Sequence, residues 1–350
     1  MNEERFSQIT RGYPRLRLAL VGDFCLDRYL EIDPARGEMS IETGLPVHNV
    51  VQVRSQPGGA GTVLNNLVAL GVGEVWIAGM AGEDGEGWEL RRALANQPGV
   101  RLDFFIQTPR RRTFTYTKPL ICEAGKPPRE LNRLDFKNWT ITPPEVEVFF
   151  QKAVNALADR VDAIILLEQV DQANTGVMTA GLLRQIQALA QAHPKLLVLA
   201  DSRRGLRHFP PVTFKMNREE LARLLGIQRA LDLSAVQQRA AELARRLGHR
   251  VFVTLADQGL LGAEPNGEVA RVPALPVRGE IDIVGAGDAV TANLTSALAA
   301  GASLPEALEL ASAAASIVIH QLGTTGTASV PEIARLLFPE TWLVCHTDGS

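Results

Sequence analysis

Residues 163–200 decide the fold class: AIILL at 163–167 precedes TGVMTAGLLRQIQALAQA at 175–192, which precedes LLVLA at 196–200. The first and last segments are short apolar runs typical of buried strands, and the middle one has the apolar spacing of a helix. Parallel strands need a crossover of this length between them, and a helix usually supplies it. The segment therefore predicts a βαβ unit in a parallel sheet.

The same alternation extends along the chain in both directions. Further strands are indicated at 16–21, 75–78 and 251–255, and helices at 62–70, 87–94, 144–158, 218–225 and 234–247. Together they predict an α/β fold with an open, mostly parallel sheet and helices on both faces. In such sheets, ligands bind beyond the carboxyl ends of the strands.

Two stretches, about 27–54 and 104–135, break the alternation, because extended segments and turn residues alternate within them. They predict a small second β-sheet that projects as a lid, and an ordinary surface hairpin is the alternative. We expect one domain over 15–335 that carries both lid segments. Residues 1–14 and 336–350 are expected to be terminal extensions.

Composition narrows the classes of partner. The chain has 350 residues, 46% of them hydrophobic and 21% charged, which is typical of a protein that folds. Its net charge of −3 does not indicate a nucleic-acid-binding surface. No apolar stretch of about 18 residues suggests a membrane span. The N-terminal residues lack a signal peptide's apolar run, and the scattered Cys25, Cys122 and Cys345 read as reduced thiols. These features predict a cytoplasmic protein with a small-molecule partner.

The most informative segment for chemistry is EIDIVGAGDA at 280–289, ahead of a helix expected at 289–300. Free amides at Gly285, Ala286 and Gly287, together with the positive end of the helix dipole, attract phosphate oxygens. Asp288 could accept a proton from an attacking hydroxyl beside them. A tight turn with Asp288 as helix N-cap is the alternative.

Several motifs in order and spacing resemble the ribokinase-like carbohydrate kinases, the phosphofructokinase B family, over roughly 17–333. The similar stretches are VGDFCLDRY at 21–29, PGGAGTVLNNL at 57–67, GMAGEDGEG at 79–87, NREE at 217–220 and GAGD at 285–288. The resemblance implies a kinase domain that transfers the γ-phosphoryl group of ATP to a hydroxyl of a sugar or sugar phosphate. Asp288 would be its general base.

The resemblance also implies roles for individual residues. Acceptor binding falls to Asp23, Asp27, Gly58, Gly59 and Asn65. The nucleotide side falls to Asn217, Glu220, Thr254 and Gly259, where Glu220 holds Mg²⁺ through water. Asp282 is similar to the family's aspartate near a monovalent-cation site, which suggests K⁺. A turn role is the alternative for Asp23 and Asp282, and a solvated helix charge is the alternative for Glu220.

Within the family, DRY at 27–29, RLDF at 133–136 and LGT at 322–324 are most similar to heptose phosphate kinases. This similarity suggests a phosphorylated sugar as the acceptor. Arg203 is then a candidate partner for the phosphate, or an exposed loop arginine. Val284, Thr62 and Ala256 depart from the family's pattern.

Three further expectations remain. Lid strands of such kinases commonly pair between subunits, so the resemblance implies a homodimer. The run Arg110-Arg111-Arg112 is interpreted as a solvated hairpin tip, with a clamp on a substrate phosphate as the alternative. A nucleoside kinase of the same fold and a non-catalytic sugar- or nucleotide-binding relative are the rival functions. A dinucleotide-binding dehydrogenase ranks lower, because no GxGxxG turn follows the first strand.

Overall fold

The computed structural model describes residues 1–339. In chain order the strands are β1 Arg17–Gly22, β2 Phe24–Ile32, β3 Glu38–Met39, β4 Pro46–Val47, β5 Val50–Gly59, β6 Glu74–Gly82, β7 Val100–Thr108, β8 Thr115–Ile121, β9 Arg129–Glu130, β10 Leu134–Phe136, β11 Ala163–Glu168, β12 Leu197–Ser202, β13 Thr213–Asn217, β14 Val251–Thr254, β15 Leu260–Ala263 and β16 Val269–Val272. The α-helices are α1 Glu3–Thr10, α2 Ala60–Ala69, α3 Gly85–Ala95, α4 Pro144–Ala158, α5 Ala180–Ala192, α6 Arg218–Leu224, α7 Leu233–Leu247, α8 Ala286–Ala299, α9 Leu304–Val318 and α10 Val330–Leu337.

The main sheet has nine strands in the order β16-β15-β14-β13-β12-β11-β1-β6-β7. Every pairing from β14 to β7 is parallel. At the other edge β14, β15 and β16 are antiparallel, because the turn Ala256–Gln258 between β14 and β15 is too short for a crossover. The predicted open, mostly parallel sheet is confirmed.

Helices cover both faces of this sheet, and the strands alternate between the two cores. In β1, Leu18 and Leu20 pack with α2, α8 and α9, whereas Ala19 and Val21 pack with α4 and α5. All four side chains are fully buried, since a central parallel strand has no solvent face. This two-sided burial explains why the strands read as continuous apolar runs.

Some expected boundaries are wrong. The helix expected from residue 175 begins at Ala180, because the preceding backbone makes other contacts: Val177 donates its amide to Asp23, and the Asn174 carbonyl accepts from the Thr142 amide. The helix expected from residue 289 begins at Ala286, so the glycine-rich stretch supplies its first turn. No α-helix separates β12 from β13.

The second sheet contains five strands, in the order β10-β8-β2-β5 with β9 beside β8. It begins at Phe24, two residues after β1 ends, so it rises directly from the carboxyl edge of the main sheet. The small second sheet is confirmed. Its expected boundary at residue 104 is wrong, because β7 through Thr108 pairs with β6 in the main sheet.

The N-terminal residues do not form a separate extension. Helix α1 buries Phe6 and Ile9 in the core, and the Phe6 ring lies 5.5 Å from that of Phe338 after α10. Helix α10 also crosses the expected boundary at 335. Cys345 lies outside the described residues, and within residues 1–339 every helix falls short of the length and apolar character that a membrane span requires.

Candidate active site

The N-terminus of α8 lies at the carboxyl edge of the main sheet, and no side chain caps it. Gly285 occupies the N-cap position with φ 85°, a left-handed conformation that favours glycine. Asp288 stands third in the helix, so the interpretation of Asp288 as the N-cap is wrong. The Ala286 amide donates to the Ile283 carbonyl at 3.3 Å, whereas the amides of Gly287 and Asp288 have no acceptor among the described residues and are free for an anion.

Asp288 is partly buried at this helix end and accepts no hydrogen bond from any described residue. Burial raises its pKa to about 7, Lys215 opposes the rise, and Asp201 and Asp27 reinforce it. A carboxylate with a pKa near neutrality can take up a proton at physiological pH and release it again. The arrangement suits a general base.

A buried ion pair lies beneath the α8 turn. Lys215 Nζ on β13 is 2.7 Å from Asp201 Oδ2 on β12, and Thr291 Oγ1 donates to the same carboxylate at 3.1 Å. Burial lowers the pKa of Lys215, but the neighbouring carboxylates, Asp201 foremost, outweigh it and raise the pKa overall. The lysine therefore stays charged beside Asp288.

Lys215 also explains why residue 287 is a glycine. A Cβ atom at Gly287 would lie 3.1 Å from Lys215 Nζ, so a larger residue would crowd the ammonium group. Sequence reasoning missed both Lys215 and Asp201. The available signal was a lysine inside the apolar run TFKMN at 213–217, where an unpaired charge is costly.

Asn217 and Glu220 form a capping box at the start of α6. Asn217 Oδ1 accepts from the Glu220 amide at 2.8 Å, and Glu220 Oε2 accepts from the Asn217 amide at 2.8 Å. Burial raises the pKa of Glu220, and its hydrogen bond to the Asn217 amide opposes this. The alternative of a solvated helix charge is wrong, because the Glu220 side chain is only 18% exposed.

The two aspartates expected to bind the acceptor differ in their surroundings. Asp23 is 2% exposed; Oδ2 accepts from the amides of Gln169 at 2.8 Å and Val170 at 3.3 Å, and Oδ1 from that of Val177 at 2.7 Å. Asp27 accepts no hydrogen bond from the described chain, and a Cβ at Gly58 would lie 2.4 Å from its Oδ2. Asp27 thus has the freer carboxylate, and Asp23 anchors a loop.

Burial raises the pKa of Asp23, and its backbone hydrogen bonds are the main opposing cause. Burial raises the pKa of Asp27, with Lys118 and Arg133 opposing. Its charge also contributes to the raised pKa of Asp288, so the two carboxylates lie near enough to interact. Gly59, the other predicted glycine, has φ 58°, and a Cβ there would lie 2.6 Å from the Asp23 carbonyl oxygen.

A model of the pfkB family of carbohydrate kinases matches residues 24–331. The chain belongs to this family. The bifunctional protein HldE of Azorhizobium caulinodans is 31% identical over 340 residues, covering 95% of this chain and 68% of that protein. HldE of Rhodospirillum rubrum is 31% identical over 326 residues, covering 93% and 62%. The chain spans about two thirds of the length of these relatives.

Solved structures agree with the pfkB fold. Ribokinase of Arabidopsis thaliana complexed with ribose and ATP superposes with a TM-score of 0.66 at 20% identity, covering 92% of this chain and 99% of that one. Phosphofructokinase-2 of Escherichia coli in complex with fructose-6-phosphate gives 0.67 at 19% identity, covering 92% and 98%. The same enzyme in complex with potassium gives 0.69 at 20% identity, with the same coverage.

In the segment of this pfkB kinase that was expected to bind the nucleotide, Thr254 ends β14, and the Leu255 amide donates to the Gly259 carbonyl at 2.8 Å. Gly259 has φ 90°, and a Cβ there would lie 2.0 Å from the Val272 carbonyl oxygen, so a side chain could not fit. Ala256, where the family pattern has glycine, adopts φ 52°. This left-handed alanine is strained.

The remaining predicted residues make specific contacts. Asp282 Oδ1 accepts from the Val284 amide at 3.0 Å, which is the turn contact of the alternative reading. Arg203 is 48% exposed, and its Nε lies 3.4 Å from Asp171 Oδ1. The Asn65 carboxamide bonds Gln97 and the Pro57 carbonyl, and no contact in the described chain brings it to Asp288.

Proposed function

We propose that the chain transfers the γ-phosphoryl group of ATP to a hydroxyl of a sugar or sugar phosphate. The observation that carries the proposal is Asp288, with a pKa raised to about 7, beside the uncapped amides of α8. Asp288 removes the hydroxyl proton, the oxygen bonds to the γ-phosphorus, and the bond to the β-γ bridging oxygen breaks to release ADP.

Charge on the transferring phosphoryl group needs fixed donors. The amides of Gly285 and Gly287 and the positive end of α8 would supply them, joined by the Ala286 amide once it leaves the Ile283 carbonyl. Lys215 adds a full positive charge that the carboxylate of Asp201 holds in place. The pair lies just under the glycines, so both kinds of donor act on the same phosphate oxygens.

The cofactors fit the remaining residues. ATP would lie toward Thr254 and Gly259. Mg²⁺ usually keeps several waters and needs few protein ligands, so Glu220 would hold it through water beside Asn217. Among residues 1–339, no three His, Cys, Asp or Glu side chains gather as a ready metal site. Asp282 is proposed to lie near a K⁺ site.

The acceptor would bind between the main sheet and the lid, with Asp27 orienting its hydroxyls. Gly58 and Gly59 let the backbone approach it. Asp23 would act through the loop that it anchors and through any hydroxyl that reaches it. The relatives of this chain include a phosphofructokinase-2 solved with fructose-6-phosphate, which supports a phosphorylated acceptor.

A cluster of three cations suits a phosphate on that acceptor. Lys137 Nζ lies 2.6 Å and Arg203 Nε 3.4 Å from Asp171, and Arg133 Nε lies 2.7 Å from Asp135. Three cations against two carboxylates leave a net positive charge. We propose that Arg203 with its neighbours binds this phosphate.

The lid is proposed to pair with that of a second copy. β5 is the edge strand of the lid sheet, so its outer backbone groups are unpaired. Its Val51 and Val53 are 50% and 46% exposed. An apolar edge of this kind favours a homodimer.

The test is ATP consumption with a panel of sugars, sugar phosphates and nucleosides. Asp288→Asn should lower turnover at least about a hundredfold while ATP affinity stays nearly unchanged. Asp103→Asn, at an exposed position of β7, is the matched control and should stay near wild type. Near-normal turnover in Asp288→Asn would overturn the base assignment. Preference for nucleosides would favour a nucleoside kinase, and no turnover with any acceptor a non-catalytic binder.

A further inference from the structure

Arg111 lies between the end of β7 and the start of lid strand β8, in the run expected to be a solvated hairpin tip. Arg110 and Arg112 fit that expectation, with side chains 63% and 55% exposed. Arg111 does not, because it is only 4% exposed. A buried guanidinium without a direct carboxylate contact is costly, so its position calls for a reason.

Its partners are backbone carbonyls from two other segments. Nη1 donates to the carbonyls of Thr140 at 2.9 Å and Ile141 at 3.2 Å, and Nη2 donates to the carbonyl of Thr175. The planar guanidinium fork can satisfy acceptors in two directions at once, which a lysine cannot do. Arg111 therefore ties the root of the lid to the segment before α4 and to the loop before α5.

A second set of bonds joins the same two segments. Thr142 donates its amide to the Asn174 carbonyl at 2.7 Å and its hydroxyl to the Gly176 carbonyl at 2.6 Å. Asn174 itself has φ 61°, a conformation that needs support from its neighbours. Arg111 and Thr142 thus both bind carbonyl groups of the loop 169–177.

Amide groups of the same loop bind Asp23. Gln169, Val170 and Val177 all donate to this carboxylate. A side chain at Gly176 would collide with it, since a Cβ there would lie 2.3 Å from Asp23 Oδ1. Any slackening of the loop therefore reaches Asp23 directly, and the ionised Asp23 in turn favours the charged form of Arg111.

We propose that Arg111 is a positioning residue for the acceptor: it holds loop 169–177 against the lid root so that Asp23 and the acceptor cleft keep their shape. The cleft beside Asp23 supports this, because it is lined from one side by Gln169 and Thr175 and from the other by Phe114 and Tyr116 of the lid. The proposal rests on the proposed kinase function for its kinetic consequence only.

The experiment compares Arg111→Met and Arg111→Lys with Arg110→Met, whose exposed ion pair to Glu145 makes it the matched control. The best acceptor of the panel is the probe. Arg111→Met should raise the KM for the acceptor about ten- to a hundredfold, the range for losing hydrogen bonds of a charged donor. The KM for ATP should stay within about twofold, and Arg111→Lys should recover part of the loss.

Hydrogen exchange of the protein alone provides a second readout. In Arg111→Met the amides of Gln169, Val170 and Val177 should exchange faster, while those of β1 and β12 should not change. If Arg111→Met does not fold, Thr142→Val removes the hydroxyl bond to Gly176 and should shift the same amides in the same direction, by less.

Unchanged exchange at these three amides would overturn the proposal, as would an equal rise in KM for acceptor and ATP. If the wild-type protein turns over no acceptor, the kinase function fails instead. The exchange measurement then still decides whether Arg111 holds the loop.

Discussion

Asp288→Asn should make the protein more stable at alkaline pH while it removes activity. The pKa of Asp288 is raised from 3.8 to about 7 because the carboxylate is desolvated. Three pKa units correspond to about 4 kcal/mol at 1.36 kcal/mol each, and partial exposure makes this an upper value. Asparagine is a neutral substitute of the same shape, so the variant avoids this cost of ionisation.

The sign follows from proton binding. Between pH 3.8 and about 7 the folded protein holds a proton on Asp288 that the unfolded chain has lost. The free energy of unfolding therefore falls as pH rises through this window, and above about pH 7 Asp288 changes it no further. The advantage of Asp288→Asn in free energy of unfolding should grow from about 2 kcal/mol at pH 5 to about 4 kcal/mol at pH 8 as upper values.

Urea denaturation of both proteins at half-unit steps from pH 5 to pH 8 measures this difference. Asp103→Asn, on an exposed position of β7, gives the effect of removing a surface carboxylate. A difference that stays flat with pH, or an Asp288→Asn protein less stable than wild type at pH 8, would contradict a raised pKa at Asp288. Asp288 would then be a stabilised carboxylate, unsuited to act as base near neutrality.

Three other predictions concern the surroundings of the site. Lys215→Met should move the acidic limb of the kcat/KM profile up by about one pH unit, and Asp201→Asn should move it down. The reason is that Lys215 lowers the pKa of Asp288 and Asp201 raises it. Shifts of the two variants in the same direction would contradict this prediction. Ala256→Gly should raise the free energy of unfolding by about 0.5–1 kcal/mol in urea titrations, because relief of the left-handed strain exceeds the entropy that glycine adds to the unfolded chain. A loss of stability would show that the turn is unstrained. Val53→Asp on the exposed lid edge should yield monomers in analytical ultracentrifugation at concentrations where the wild-type protein is dimeric, and a wild-type monomer would remove the proposed lid interface.

The order of elements and the glycine-rich turn could be read from the chain itself. The apolar runs of β1, β11 and β12 are continuous because both sheet faces are covered, which is a pattern visible in the residues alone. The stretch 285–288 combines glycine with an acidic residue before a helix. The family's motifs pointed to Asp288, Asn217 and Glu220, and the alternating extended segments pointed to the small second sheet.

The contacts that tune the site could not be read in this way. Lys215 and Asp201 are 14 residues apart, and they meet only because β12 and β13 are neighbours in the sheet. Arg111 looked like a surface residue because its run is basic, and burial was decided by the carbonyls of Thr140 and Thr175, 29 and 64 residues away. Local sequence holds no record of such distant partners.

The βαβ alternation, the extended lid segments and a carboxylate at the positive end of a helix could be inferred from the chain alone, since each of these depends on residues close together in the sequence. Only the tertiary structure decided that Asp288 has a pKa near 7 and that Asp23 is enclosed by backbone amides. The reason is physical: desolvation and charge coupling depend on distance in space, and strand order brings together groups that the chain keeps apart.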